Sequence, residues 1–265
     1  MNSKREIEKI YRDIKSVKIQ GATNIAKAAI RAYSLKKDAD NKKKLISLRP
    51  TEPTLANALN FADRIGEKKV IAHFADAQSK INKLVLKLIK NNPVIYTHCH
   101  STNVVKALIY AKKHGKKFEV YNTETRPLFQ GRKTAKELAR AGIKVTDFVD
   151  SAVDSAVKGA DIIMIGSDAI VKSGAINKVG SAAIAELAWL HKKPVYVVAD
   201  SWKFSPRNVK IEERDFHEVW KNAPSAIRIR NPAFEKVEKK YVRGIISELG
   251  ILRFDSFVKK ADRMI

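Results

Sequence analysis

Cysteine is all but missing from this chain: one residue, Cys99, among 265. That excludes an internal disulfide framework, and no Cys-x-x-Cys or His/Cys cluster has the spacing of a structural zinc site. No stretch approaches the roughly 18 unbroken apolar residues that a membrane span needs. The opening residues Met1-Asn2-Ser3-Lys4-Arg5-Glu6 lack the apolar core of a signal peptide. Neither a Walker loop nor a G-x-G-x-x-G fingerprint occurs, which disfavours nucleotide binding of the usual P-loop or Rossmann kind. Internal repeats and low-complexity tracts are absent too. The expectation is a soluble, cytoplasmic protein with ordinary apolar content (45%) and a real core.

Acidic residues are also scarce. The chain has 28 of them against 52 basic ones, a formal charge of +24. Such a surplus suits nucleic-acid binding, lysines on solvated helix faces, or attraction for a polyanionic small substrate or acidic partner. The cations are spread through nearly every amphipathic segment, with one short block at Lys42-Lys43-Lys44. No RGG tract, RNP-like aromatic motif or zinc-finger spacing accompanies them. Charge alone does not separate these readings.

What is present divides at about residue 92. Residues 1–92 read as a helical domain. Ile7, Ile10, Tyr11, Ile14 and Val17 recur at helical steps over 3–17. Ile19-Gln20-Gly21-Ala22 interrupts them, and Thr23 or Asn24 can cap a second helix to about residue 35. A polar linker is expected over 36–44 and a turn over 48–53, where Pro50 and Pro53 disfavour helix just before them. Helices are expected at 54–65 and 67–90.

From Pro93 to the end, residues 93–265, the texture changes. Apolar runs at 94–97, 118–121, 144–149, 161–165 and 194–199 alternate with helical patterns at 102–114, 132–141 and 181–192. The reading is α/β: a Rossmann-like, mostly parallel α/β/α domain after the helical one. Residues 205–230 read as irregular or as short strands, with Pro206, Pro224 and Pro232 as breakers. A short helix is expected at 242–249, with an apolar tail (Ile251, Leu252, Phe254) free to pack on a neighbouring domain or subunit.

In such sheets ligands sit at the carboxyl ends of strands. Four strand-end loops carry polar residues: His98-Cys99-His100-Ser101, Thr123-Glu124-Thr125-Arg126-Pro127, Gly166-Ser167-Asp168 and Asp200-Ser201-Trp202-Lys203-Phe204. Cys99 is either an inert small hydrophobe or a nucleophile or base. Its polar loop, two histidine neighbours and expected helix N-terminus would lower the thiol pKa. Asp168 follows four apolar residues; partial desolvation would raise its pKa and suit a general acid, unless it merely caps a turn. Asn177-Lys178-Val179-Gly180 precedes a helix and is either a phosphate seat or an ordinary turn. Lys203 is a phosphate clamp or a snorkelling surface lysine, and Arg126 and Arg132 bind an anion or pair with Glu124. His98 and His100 lack the further ligands a metal site needs, so no metal is expected.

Taken in order, these residues resemble the family of the alpha, beta and delta regulatory subunits of translation initiation factor 2B and the sugar-phosphate isomerases that share their fold. The matching stretches are Thr123-Glu124-Thr125-Arg126-Pro127 through Gly131, Thr134-Ala135-Lys136-Glu137-Leu138, Val149-Asp150-Ser151-Ala152, Gly166-Ser167-Asp168, Asn177-Lys178-Val179-Gly180 and Lys203-Phe204. Ile19-Gln20-Gly21-Ala22 is similar to the family's Ile-Arg/Lys-Gly-Ala turn, with Gln20 in place of the cation; Ser167 stands where alanine is usual. Thr97-His98-Cys99-His100-Ser101 resembles the ribose-1,5-bisphosphate isomerase branch, which acts in AMP degradation.

The resemblance implies catalysis by Cys99 and Asp168, and the expected pKa shifts suit the thiol as base and the carboxyl group as acid. It implies substrate contacts at Gly21, Ala22, Arg49, Ser101, Asn177, Lys178 and Lys203. No cofactor or metal is implied, and nucleic acid is not required. The implied partners are a sugar bisphosphate and further copies of the chain, as a dimer or hexamer. Two other readings carry over: a non-catalytic subunit that binds initiation factor 2, and methylthioribose-1-phosphate isomerase.

Overall fold

The computed structural model of the chain describes residues 2–16, 18–19 and 21–265. Val17, expected on the first helix, and Gln20 of the glycine turn lie outside the described residues. Among the described residues, five helices precede the first strand: α1 (Asn2–Lys15), α2 (Ala22–Leu35), α3 (Ala39–Ser47), α4 (Pro53–Ile65) and α5 (Glu67–Leu88). Ile7, Ile10, Tyr11 and Ile14 of α1 are buried against α2 and α4, as their spacing requires.

Two details here differ from the sequence reading. Helix α2 begins at Ala22 with Gly21 at its N-cap, so Thr23 and Asn24 lie inside the helix rather than at its cap position. Gly21 has φ +84°, a conformation glycine adopts without steric cost. Residues 36–44 are not a linker, because α3 occupies most of them. Asp38 caps it by accepting from the Asn41 N–H at 2.7 Å. Leu45 is the one large apolar side chain α3 buries, too little to register as a period.

The seven-stranded sheet has the order β10-β9-β7-β4-β1-β2-β3. Its strands are β1 (Val94–His98), β2 (Glu119–Thr123), β3 (Lys144–Phe148), β4 (Ile162–Ile165), β7 (Val195–Val198), β9 (Gly244–Ser247) and β10 (Gly250–Leu252). All neighbouring pairs are parallel except β9–β10. Helices α6 (Thr102–Lys113) and α7 (Gln130–Arg140), with the C-terminal half of α5, cover one face. Helices α8 (Val153–Lys158), α9 (Ser181–Leu190) and α10 (Phe254–Asp262) cover the other.

The expected helix at 242–249 is absent; strand β9 and the turn into β10 occupy it. All four residues of β9 are buried. A short apolar run covered on both faces reads the same way as a buried helix segment. Of the apolar tail, Phe254 is buried in this chain's own core, whereas Ile251 is exposed. A second sheet, β5 (Ala169–Val171), β6 (Gly174–Lys178) and β8 (Phe234–Glu238), is antiparallel and went unread in the sequence.

Strand order fixes where a ligand can enter. From β1 the chain moves to β2 and β3 on one side, and from β4 to β7 and β9 on the other. Strands β1 and β4 are hydrogen-bonded neighbours, with Ile95 opposite Ile162 and Tyr96 opposite Ile163. The crevice at this switch point lies beyond their carboxyl ends, where Cys99 and Asp168 follow.

Candidate active site

One cavity of about 170 Å³ opens at that crevice. Its wall includes all nine residues expected at the site. Gly21 and Ala22 come from the start of α2, and Arg49 from the turn before α4. Cys99 and Ser101 come from the loop after β1, and Asp168 from the loop after β4. Asn177 and Lys178 end β6, and Lys203 lies in the 3-10 turn Ser201–Lys203 after β7. The β5–β6 hairpin brings Asp168 near Asn177, since the Asp168 N–H donates to the Ile176 carbonyl at 2.8 Å.

The Cys99 backbone is held in the left-handed region at φ +64°, which costs a non-glycine residue energy. Two threonines pin it. The Cys99 N–H donates to Thr125 Oγ1 at 3.0 Å, and Thr134 Oγ1 donates to the Cys99 carbonyl at 2.7 Å. Thr125 is anchored in turn by Asp150, whose carboxylate accepts the Thr125 and Arg126 N–H groups at 2.9 and 2.7 Å. The 123–127 loop thus converges beneath the cysteine loop, not on the cavity. Arg132 pairs with Glu124 at 2.6 Å, and Arg126 donates to the Val219 carbonyl at 3.0 Å.

His98 is a buried structural histidine. Its Nε2 lies 2.9 Å from the Val179 carbonyl and must donate there; Nδ1 then accepts from Thr123 Oγ1 at 2.8 Å. Burial lowers its pKa, which keeps the ring neutral. Among the described residues, no three His, Cys, Asp or Glu side chains are grouped to hold a metal ion.

The thiol departs from expectation. Helix α6 starts at Thr102 with Ser101 as its N-cap, so Cys99 is not on the helix terminus. Burial pushes the Cys99 thiol up to about 12 rather than down, and the nearby Asp168 charge adds to this. The His100 N–H and the Lys178 ammonium oppose the rise without cancelling it. Burial also raises the Asp168 carboxyl, against the pull of Lys203, Arg49 and Lys178.

Three cations at the cavity are themselves buried: Arg49, Lys178 and Lys203. Lys203 is no surface lysine; its Nζ donates to the Ser167 carbonyl at 2.6 Å. Burial lowers the Lys178 pKa. Arg49 lies 2.6 Å from Glu52, while its Nε and Nη1 have no partner among the described residues. Glu52, pushed up to about 7 chiefly by burial, also lines the cavity.

The 177–180 phosphate seat is taken by the chain itself. Glu235 Oε1 accepts the Gly180 and Ala182 N–H groups at 2.7 Å each, so the α9 terminus already holds an anion. Asn177 is likewise engaged, its Nδ2 donating to Ser181 Oγ at 2.8 Å.

Sequence reading missed Glu52, Arg214 and Glu218, which also face the cavity. Glu52 was visible only as part of a proline turn. Arg214 and Glu218 lie in irregular chain with no period to assign them a face; the unusual charge density of Glu212-Glu213-Arg214-Asp215 was the one available signal.

A parallel sheet whose switch-point pocket gathers a thiol, a carboxyl group and buried cations defines an α/β protein built to receive an anionic polar ligand. The chain belongs to the Initiation factor 2 subunit family, which it matches over residues 10–254. The ribose 1,5-bisphosphate isomerase of Archaeoglobus fulgidus is 35% identical over 283 residues, covering 93% of this chain and 90% of its own. That of Methanocaldococcus jannaschii is 35% identical over 280 residues, covering 93% and 91%. The solved translation initiation factor eIF-2B of Pyrococcus horikoshii OT3 superposes with a TM-score of 0.84 at 30% identity, covering 93% of this chain and 96% of that one.

Proposed function

We propose that this chain isomerises ribose 1,5-bisphosphate to ribulose 1,5-bisphosphate in the cytoplasm, without a cofactor, as a homo-oligomer. The observation that carries this is a shared cavity for Cys99 and Asp168, lined by Arg49, Lys178 and Lys203. Two proton-carrying groups suit an aldose–ketose conversion, and buried cations suit phosphate.

Because enclosure in the pocket pushes the thiol pKa up, Cys99 serves here as the acid and Asp168 as the base, roles the sequence reading assigns the other way round. Asp168 as carboxylate takes the C2 proton. The C2–H electrons form a C1=C2 double bond, and the bond from C1 to the ring oxygen breaks with its pair on oxygen. Cys99 gives that oxygen its proton, leaving an enol phosphate and a thiolate near Lys178. The enol O2–H then returns a proton to sulfur as the C2 carbonyl forms, and Asp168 delivers its proton to C1. Both groups end as they began. Phosphate contacts at Arg49 and the two lysines hold the sugar in place for these transfers.

Turnover in deuterated water tests the reading. The wild-type protein is expected to yield ketose carrying deuterium at C1, to the extent that the Asp168 proton exchanges with solvent. Cys99→Ser and Asp168→Asn are each expected to lose about 10²- to 10⁴-fold in kcat. The likeness to the Pyrococcus eIF-2B structure favours one rival, a subunit that binds initiation factor 2 without chemistry. A folded wild-type protein that binds that factor and turns over no sugar phosphate would decide for the rival.

A further inference from the structure

A second concavity, of about 520 Å³, lies at the amino ends of the strands, opposite the carboxyl ends that carry Cys99 and Asp168. It is bordered by the end of α9, the start of β7, the approach to β9 and the start of α10. Lys192, Lys193, Lys240, Arg243 and Arg253 line it, and no acidic side chain does. No salt bridge reaches any of the five among the described residues. Two neighbouring cations are paired, Lys239 with Asp255 at 2.8 Å and Lys236 with Glu238 at 2.9 Å. Five unpaired cations around one hollow repel each other, and an anion seated among them would relieve that repulsion.

The same hollow carries flat apolar rings. Trp189 is 66% exposed, which is unusual for the largest hydrophobic side chain. Its ring centroid lies 6.2 Å from that of Tyr241, edge to face, and the Lys240 ammonium sits 4.8 Å from the Tyr241 centroid. Cations that follow a phosphate backbone, interleaved with aromatic faces for bases, form the platform that binds single strands without sequence preference.

We propose that this basin binds single-stranded nucleic acid, its phosphates among the five cations and a base stacked on Trp189. Four of the cations, Lys192, Lys240, Arg243 and Arg253, are exposed on the rim, as a backbone-tracking surface requires; an enclosed mononucleotide site would bury them. The basin gives part of the +24 charge a purpose that the sugar-phosphate cavity does not, and it stands whether or not the chain is an isomerase.

The test is fluorescence anisotropy of the intact protein with a labelled oligouridylate of about twelve nucleotides. Binding that uses all five cations should give a slope of log affinity against log salt near −3.5, from about −0.7 per neutralised phosphate. Lys240→Ala/Arg243→Ala/Arg253→Ala should reduce the slope to about −1.4 while melting like wild type. Trp189→Ala should weaken binding about fivefold or more at an unchanged slope. A triple variant with wild-type affinity and slope would place binding on the rest of the basic surface and overturn the proposal. So would displacement of the oligonucleotide by tripolyphosphate at equal affinity, which would mark a site for small polyanions.

Discussion

Gly166 packs against Ser101 so closely that a methyl group on Gly166 would lie 2.6 Å from both Ser101 Cβ and Oγ. This contact joins the end of β4 to the N-cap of α6, and so sets the separation of the loops that carry Asp168 and Cys99. Gly166→Ala must push those loops apart. A stability loss of about 1–3 kcal/mol is expected. A fall of about 10²-fold in kcat/KM should accompany it, because small displacements of reacting groups are costly. Thermal unfolding and steady-state kinetics with ribose 1,5-bisphosphate check the two effects separately.

Glu235 reaches from β8 to the N-terminus of α9. Removing its two charge-assisted bonds to Gly180 and Ala182 is expected to destabilise the chain by about 1–3 kcal/mol. Glu235→Gln keeps one acceptor oxygen and should recover part of what Glu235→Ala loses. Urea unfolding of both variants is the measurement; equal losses would mean that the negative charge matters and the acceptor does not.

Glu248 is buried beside Asp200, accepts the Ser201 N–H at 3.1 Å, and has its carboxyl pushed up to about 7 from 4.5, first by burial and then by the Asp200 charge. The folded chain therefore keeps this proton over a range where the unfolded chain has lost it. The stability it contributes is complete below about pH 4.5 and declines as pH rises towards 7, by about 1.4 kcal/mol per pH unit. Glu248→Gln should remove that decline and be the more stable protein at pH 8. His73, whose pKa is lowered by burial, titrates in the opposite sense in both proteins. His73 Nε2 lies 3.9 Å from Glu248 Oε1, so the difference between the two stability–pH curves reports Glu248 together with its contact to His73.

Lys203 lowers the Asp168 carboxyl, which burial raises. If Asp168 is the base, activity falls when it is protonated, and the acidic limb of kcat/KM against pH lies above that of an ordinary aspartate. Lys203→Met should move this limb to higher pH as well as raising KM. A limb that stays in place would assign it to another group.

Much of the architecture was legible because alternation of short apolar runs with amphipathic stretches is a local pattern. Strands β1, β2, β3, β4 and β7 and helices α6, α7 and α9 fall within a few residues of their expected bounds. Local pattern failed where partners are distant. Helix α3 buries too little to show a period, β9 is covered on both faces, and β5, β6 and β8 are short strands that only their antiparallel pairing defines. The motif around Thr125, Thr134 and Asp150 could be recognised without its purpose. Only the fold shows these three pinning the backbone of a cysteine some 26 to 51 positions away.

By itself the sequence determined the periodicities that make helices and strands, the supply of cations, and the two proton-carrying side chains, because these are properties of residue type and spacing. Tertiary structure alone decided that β1 and β4 are neighbours, which brings Cys99 and Asp168 to one crevice. It also decided the setting of the thiol: helix α6 begins at Thr102 behind Ser101, so the terminus expected to acidify Cys99 lies elsewhere, and enclosure, which no residue carries in its own formula, pushes the thiol pKa up.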